Sequence, residues 1–256
     1  MEPPGGAVPG SGGAMNTDRR MRLWSQVAGN AQGAPVGVEH VCAAVISATG
    51  VDGVAVTAVL RDGLRETVYA SDAIVSELAE STLTLGEGPG VDALAGGPVL
   101  VADLTSVDSL ARWPVFAPAA VHAGAAAMFA LPLRVGAVHV GVMDLYCAEP
   151  VVLFGERLAD VLVLADTACA LLLDAAQHDR PRPSGRRPEP AGLAHPEVHQ
   201  ATGMVTVQLG VTAAVALIRL RAYAYAHDRR LREVAEDVVA RRLRFRPDPD
   251  GGRGER

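Results

Sequence analysis

A chain of 256 residues that is 49% hydrophobic can bury a sizeable core, as one main domain and a smaller one. Its net charge of −6 is unevenly divided: residues 1–178 carry 8 arginines against 19 acids, and residues 179–256 carry 15 arginines against 10 acids. All 23 Lys+Arg positions are arginine, which excludes a P-loop lysine, a kinase strand lysine, a Schiff-base lysine and the lysine of a phosphoryl-accepting receiver domain.

Residues 1–18 are rich in Gly, Pro and Ala and read as a disordered leader. They have no basic segment followed by an apolar run, so no secretory signal is expected. No apolar run approaches the roughly 20 residues of a membrane span, and cytoplasmic placement without membrane contact is the expectation. Helical periodicity covers Arg19–Ala28 and Val38–Ala48. The β-rich GVAVTAVL, 53–60, and Leu64–Ala70 flank Arg61-Asp62-Gly63 as a hairpin. Ser71 and Asp72 can cap a short helix through Leu78.

The stretch LGEGPG, 85–90, lacks the spacing of a phosphate loop and reads as a tight turn needing positive φ. PVLVADL follows as a buried strand, then a loop or short helix around ARWPVFAPAAVHAG. AAMFALPL and AVHVGVMDLY form a second hairpin about Arg134-Val135-Gly136, and Gly155–Ala176 closes the domain as a helix. The fold class predicted over 19–177 is therefore α+β, a central antiparallel sheet with flanking helices.

Residues 178–194, with four prolines and four arginines, read as an extended linker. A three-helix module is expected over 195–246, followed by a disordered tail, 247–256. Pro196 suits a first helical turn, Gly210 a helix end, and Thr212 and Asp228 the caps of the second and third helices. Leu231, Val234, Ala235, Val238 and Val239 make a core stripe. Close packing is expected through Ala201, Ala214, Ala222 and Ala235.

Chemistry-bearing motifs are sparse. His195 and His199 share a helix face without a third ligand, so no metal site is expected. Gly-x-Ser-x-Gly is absent and no catalytic set stands out. Cys42, Cys147 and Cys169 share no motif spacing and read as buried hydrophobes. Trp113, Phe116, Met128 and Phe129 suit either a cavity lining or ordinary core. Tyr223, Tyr225 and Phe245 lie among arginines, which suits base stacking with phosphate contact, or equally a core tyrosine beside a solvated arginine face.

The C-terminal segment resembles an ANTAR domain, carried by QATGM at 200–204, G-V-T-x-x-x-A at 210–216, LRAYA at 220–224 and R-x-L-x-x-V-A-x-x-V-V at 229–239. Residues 36–176 resemble a GAF sensor domain through GEGPGVDA, PVLVADL, RWPVF and ALPLRVGAVHVGVMDLY. The resemblance implies an antitermination regulator that binds paired stem-loops in nascent RNA. The family's functional positions map onto Ala201 and Gly203, Leu220 and Arg221, and Arg230 beside Leu231. The contacts expected here are phosphates at Arg221, Arg229, Arg230 and Arg241, stacking at Tyr223 or Tyr225, and Gln200, Ala201 and Gly203 from the first helix. Thr202 departs from the family, which commonly has a basic residue there. A GAF ligand near Trp113, Phe116, Met128 and Phe129, a protein partner, or a redox state would supply the input. No cofactor is expected, since the Cys-His dipeptide of pigment-attaching relatives is missing. A homodimer through the flanking helices is expected. Duplex DNA binding, a GAF-like thiol reductase and a purely dimerising scaffold are the competing readings.

Overall fold

The computed structural model describes residues 11–60, 65–178 and 196–246. In chain order the first domain contains α1 (Ser11–Ala31), α2 (Val38–Thr49), β1 (Gly53–Val59), β2 (Arg65–Ala70), α3 (Ala73–Leu85) and α4 (Pro89–Ala95). It continues with β3 (Val99–Val101), α5 (Val107–Arg112), α6 (Phe116–Ala123), β4 (Ala127–Val135), β5 (Val138–Cys147) and α7 (Gly155–His178). The five strands pair antiparallel in the order β2-β1-β5-β4-β3. This is the antiparallel sheet with flanking helices that the sequence predicts.

Side-chain alternation along the strands separates two cores. Val54, Val56, Phe129, Leu131, Leu133, Met143 and Leu145 face one side, where α1, α2 and α7 cover them. Ala55, Met128 and Tyr146 face the other, under the α3 to α6 side, with Val75, Leu78, Leu104, Trp113 and Phe116. On that same side, Ala130 and Val142 pack against Ala93 of α4. Met128 and Phe129 are neighbours in one strand, so period-two geometry sends them to opposite faces.

Three boundaries differ from the sequence reading. α1 begins at Ser11, inside the segment read as a disordered leader. Its Arg19 pairs with Glu156 and Asp160 of α7, and Arg22 reaches Asp160 as well, so tertiary ion pairs fasten the helix. α3 continues past Leu78 to Leu85. Asp72 caps it by accepting from the Val75 amide at 2.9 Å, and the Thr82 hydroxyl returns to the Leu78 carbonyl instead of breaking the turn. Gly86 then ends the helix in the left-handed region at φ 71. The strand expected over PVLVADL shrinks to three residues on the sheet edge, with Leu100 exposed.

The C-terminal module contains α8 (Pro196–Leu209), α9 (Ala213–Ala226) and α10 (Leu231–Val239). Its core is Val198, Ala201, Val205, Ala216, Leu220, Ala224, Leu231, Val234, Ala235 and Val238. Ala201 and Ala235 are buried as expected, but Ala214 and Ala222 are exposed, and Ala216 and Ala224 occupy the α9 contact instead. Thr212 caps α9 and Gly210 ends α8. Asp228 does not cap α10: it lies in the turn at φ 49, and Arg230 takes the cap position without a side-chain cap. The N-terminal amide of α10 is met instead from the other domain, as Leu231 N donates to Thr84 Oγ1 at 3.3 Å. The linker 178–194, the tail 247–256, the first hairpin turn and His195 lie outside the described residues apart from His178, which ends α7.

Candidate nucleic-acid interface

α10 divides its sides as its sequence demands. Leu231, Val234, Ala235 and Val238 face the module core, while Arg230, Glu233 and Arg241 stay exposed. Asp237 organises the charged face. Its carboxylate accepts from Arg242 Nε at 2.7 Å and pairs with Arg229 Nη2 at 2.8 Å. The hydrogen bonds from Arg242 and then Arg229 hold the Asp237 carboxyl below its ordinary range. The Arg229 guanidinium is correspondingly raised, first by Asp237. These bonds hold two guanidinium groups on Asp237, in the last turn of α10. Arg229 also pairs with Glu233 at 3.7 Å, so these two guanidinium groups face two acids, and the excess positive charge comes from the exposed arginines that follow.

Arg241 sits in the left-handed region at φ 60, where the helix ends. Arg244 and Arg246 continue the exposed basic stretch. Arg232, by contrast, is tied within the module to Glu236 at 3.0 Å and Glu197 at 3.4 Å.

Arg221 has a different setting from the other arginines. It is half-buried, and its Nε donates to the Leu83 carbonyl of α3 at 2.8 Å. Its guanidinium lies against Gly86, where an added Cβ would stand 3.0 Å from Nη1. Burial, and then the positive charge of Arg65, push it down to about 10, so it remains a cation at neutral pH. Arg230 is exposed and reaches Glu80 of α3 at 3.6 Å.

The two tyrosines also part company. Tyr223 stacks on His227 with ring centroids 3.9 Å apart and meets Phe245 edge-on at 5.6 Å, so it packs within the module. Tyr225 is 62% exposed and borders the clefts between the domains. In α8, Gln200 and Gly203 are exposed and Ala201 is fully buried. Thr202 is buried too, its hydroxyl bonded to the Val198 carbonyl at 2.7 Å, so it belongs to the core and not to a basic surface. The structure thus ties Arg229 to Asp237, leaves Arg241 exposed past the end of α10, and turns Arg221 and Arg230 towards α3, with Arg229 lining the same cleft as Arg230.

In the N-terminal domain the four residues expected around a ligand do not line one cavity. Trp113, Phe116 and Met128 interlock in one core, with the Trp113 indole N–H on Asp92 at 3.2 Å. Phe129 is on the opposite face of the sheet. A small chamber of about 20 Å³ lies elsewhere, between α3 and the sheet, with Thr57, Arg65, Thr67, Thr82 and Asp144 among its lining residues. Burial pushes the Asp144 carboxyl up to about 7 against the pull of Arg65. Gly90 is required beside it, because a Cβ there would come within 2.8 Å of Asp144 Oδ1. The apolar run VGVMDLY hid this acid from sequence reasoning; its place on alternate strand positions with Thr57 across the β1–β5 ladder is the signal that could have found it.

All three cysteines are buried, and burial raises each thiol, Cys42 to about 12. A reactive cysteine needs the opposite shift. Among the described residues no group of three or more metal-ligating side chains gathers. No single described helix is long and apolar enough to cross a membrane.

Solved structures are similar to this chain at low identity. The GAF domain of a phosphoenolpyruvate-protein phosphotransferase from Coxiella burnetii is 15% identical, covers 64% of this chain and 98% of its own, and has a TM-score of 0.48. The equivalent domain from Acinetobacter is 11% identical over 64% and 96%, with a TM-score of 0.47. A domain of a sensor histidine kinase protein from Sinorhizobium meliloti 1021 is 16% identical over 56% and 95%, with a TM-score of 0.45. At these scores the likenesses add nothing to the strand order and pairing above. No curated protein matches the chain. A family model does, by the description ANTAR domain, over residues 193–239. That span takes in α8, α9 and α10, and the C-terminal module of this chain is an ANTAR domain.

Proposed function

We propose that this protein is a signal-responsive transcription antitermination regulator, in which a GAF-type N-terminal domain senses a ligand or partner and the ANTAR domain binds paired stem-loops in nascent RNA. The observation that carries the proposal is the family match over 193–239, and an ANTAR domain implies RNA binding. The exposed arginines at the end of α10 support it. Arg229, held by Asp237, and exposed Arg241 can meet phosphate oxygens with charge-assisted hydrogen bonds. Exposed Tyr225 is the better stacking candidate, since Tyr223 already has two aromatic neighbours. Gln200 and Gly203 can contribute from α8, with Ala201 holding that helix in place.

Regulator, sensing and RNA binding belong to one cytoplasmic chain in this reading, with no cofactor and no catalytic step. A homodimer would match a two-loop target. The surface that supports it is formed by α1 and α7, where exposed Met21 and Trp24 line a groove of about 660 Å³. Analytical ultracentrifugation tests this part: a monomer at all concentrations, with and without RNA, overturns it.

The functional reading is tested by gel shift with a two-stem-loop RNA against duplex DNA of equal length, at stated salt. Preference for the RNA, lost in Arg241→Ala with Arg229→Ala, is the expected result. Preference for the duplex would replace RNA by DNA as the target. Crosslinking the protein to transcripts in its native cell would then name the regulated leaders.

A further inference from the structure

The ANTAR module meets the N-terminal domain through the last turn of α3, and that turn engages the groups an RNA would need. The Leu83 carbonyl accepts from Arg221 Nε at 2.8 Å, and the Leu83 side chain completes the module's apolar core. Thr84 Oγ1 accepts from Leu231 N, at the start of α10. Glu80 faces Arg230 at 3.6 Å, and its Oε1 is buried without a partner. With Nε committed to Leu83 and Nη1 packed against Gly86, part of the Arg221 donor fork is turned to protein and away from a phosphate. We propose that this contact is autoinhibitory: the described arrangement is the low-affinity state, and full RNA affinity requires α3 to release Arg221 and Arg230.

Two features make the contact suitable as a switch. It is narrow, because clefts of about 360 and 420 Å³ remain between the domains beside it, lined by Tyr225 and by Thr84 and Leu85. Small domain contacts of this kind separate readily. The same helix also faces the sensor interior. Val75 and Leu78 join the core beneath it, and Ala79, Thr82 and Leu83 border the chamber that contains Asp144 and Arg65. Arg65 in turn is near enough to depress Arg221. Anything that alters the packing under α3 therefore alters the seat of the ANTAR module, and the differential contact lies on one element shared by both domains.

The inference rests on the RNA reading above, and its test separates the two. Leu83→Ala and Thr84→Val are made in the full chain, since neither changes its charge, and Thr84→Val also preserves shape. Hydrogen exchange is read at Leu231 and at 82–86 in the RNA-free protein, and affinity is measured for a two-stem-loop RNA. The expected result is faster exchange at those amides together with roughly tenfold tighter RNA binding, within the range of ordinary coupling between sites. Faster exchange with unchanged or weaker RNA affinity in Thr84→Val overturns the autoinhibitory role. Unaltered exchange in both variants overturns the contact itself. Faster exchange in variants that, like the parent, bind no RNA overturns the RNA reading and this inference with it.

Discussion

The N-terminal domain fills both sides of its sheet with large side chains, among them Phe116, Phe129, Met128, Met143 and Leu145. The ANTAR module packs mostly Val and Ala, and its apolar cluster includes Leu83 from the other domain. Helix termination differs in the same way. α3 is capped by its own Asp72, whereas the first amide of α10 is met by Thr84 of the neighbouring domain. Charge differs as well, since the large domain buries Asp144 and the small one keeps its carboxylates at the surface or half-buried. A domain with a thick core is closed on itself. A module of about 50 residues has too little interior to be so, and completes itself on a neighbour. Under the proposed autoinhibition, this incompleteness is what would make its seat a point of control.

Four substitutions would break or sharpen that contrast. Phe129→Ala removes a fully buried ring beneath α2 and α7, with an expected loss of about 3–5 kcal/mol in the N-terminal domain. Denaturant unfolding followed by Trp113 fluorescence, in a chain with Trp24 replaced by Phe, would read it. Leu83→Ala is expected to cost about 2–3 kcal/mol, and to do so in the transition of the C-terminal module. Calorimetry that showed the loss only in the N-terminal transition would mean that the module is self-sufficient after all.

Asp144 carries the pH dependence. Its folded value of about 7 lies above that of an unfolded aspartate, so the folded chain holds the proton more tightly and stability from this group is greatest in acid. That contribution declines as pH rises from about 4 to about 7, at up to about 1.4 kcal/mol per unit. Asp144→Asn should gain on the parent steadily across that window and run parallel to it above. Urea titrations of both proteins at several pH values check the slope. The smallest effect expected is that of Thr84→Val, about 1 kcal/mol from the lost amide partner of α10. The helix signal of the module on heating would record it.

How much of this could be read from the chain follows from the range of the forces involved. Both hairpins, the terminal helix of the first domain and the three helices of the module were legible, because periodicity and caps are local. The motifs around Gly210, Leu220 and Leu231 carried the family. The end of α3 was missed, since a threonine-rich turn does not announce a helix, and Thr82 is accommodated only by its bond to Leu78. Asp228 was read as a cap because its type suits one, whereas the amide it would have served was met from elsewhere. The four residues grouped as a ligand lining shared type and proximity in sequence, but Met128 and Phe129 cannot share a face of one strand.

The sequence by itself determined the division into an acidic α+β domain and a basic helical module, the identity of that module and the chemistry of its arginines. Those are set by composition and by spacing within a few turns. Only the tertiary structure decided which arginines meet solvent and which meet protein. Arg241 is exposed past the end of α10 and Arg229 is held by Asp237, while Arg221 and Arg230 turn to α3. The deciding partners, Leu83 and Glu80, lie more than 130 residues away, a separation that no local pattern spans and that packing alone brings within hydrogen-bond or ion-pair reach.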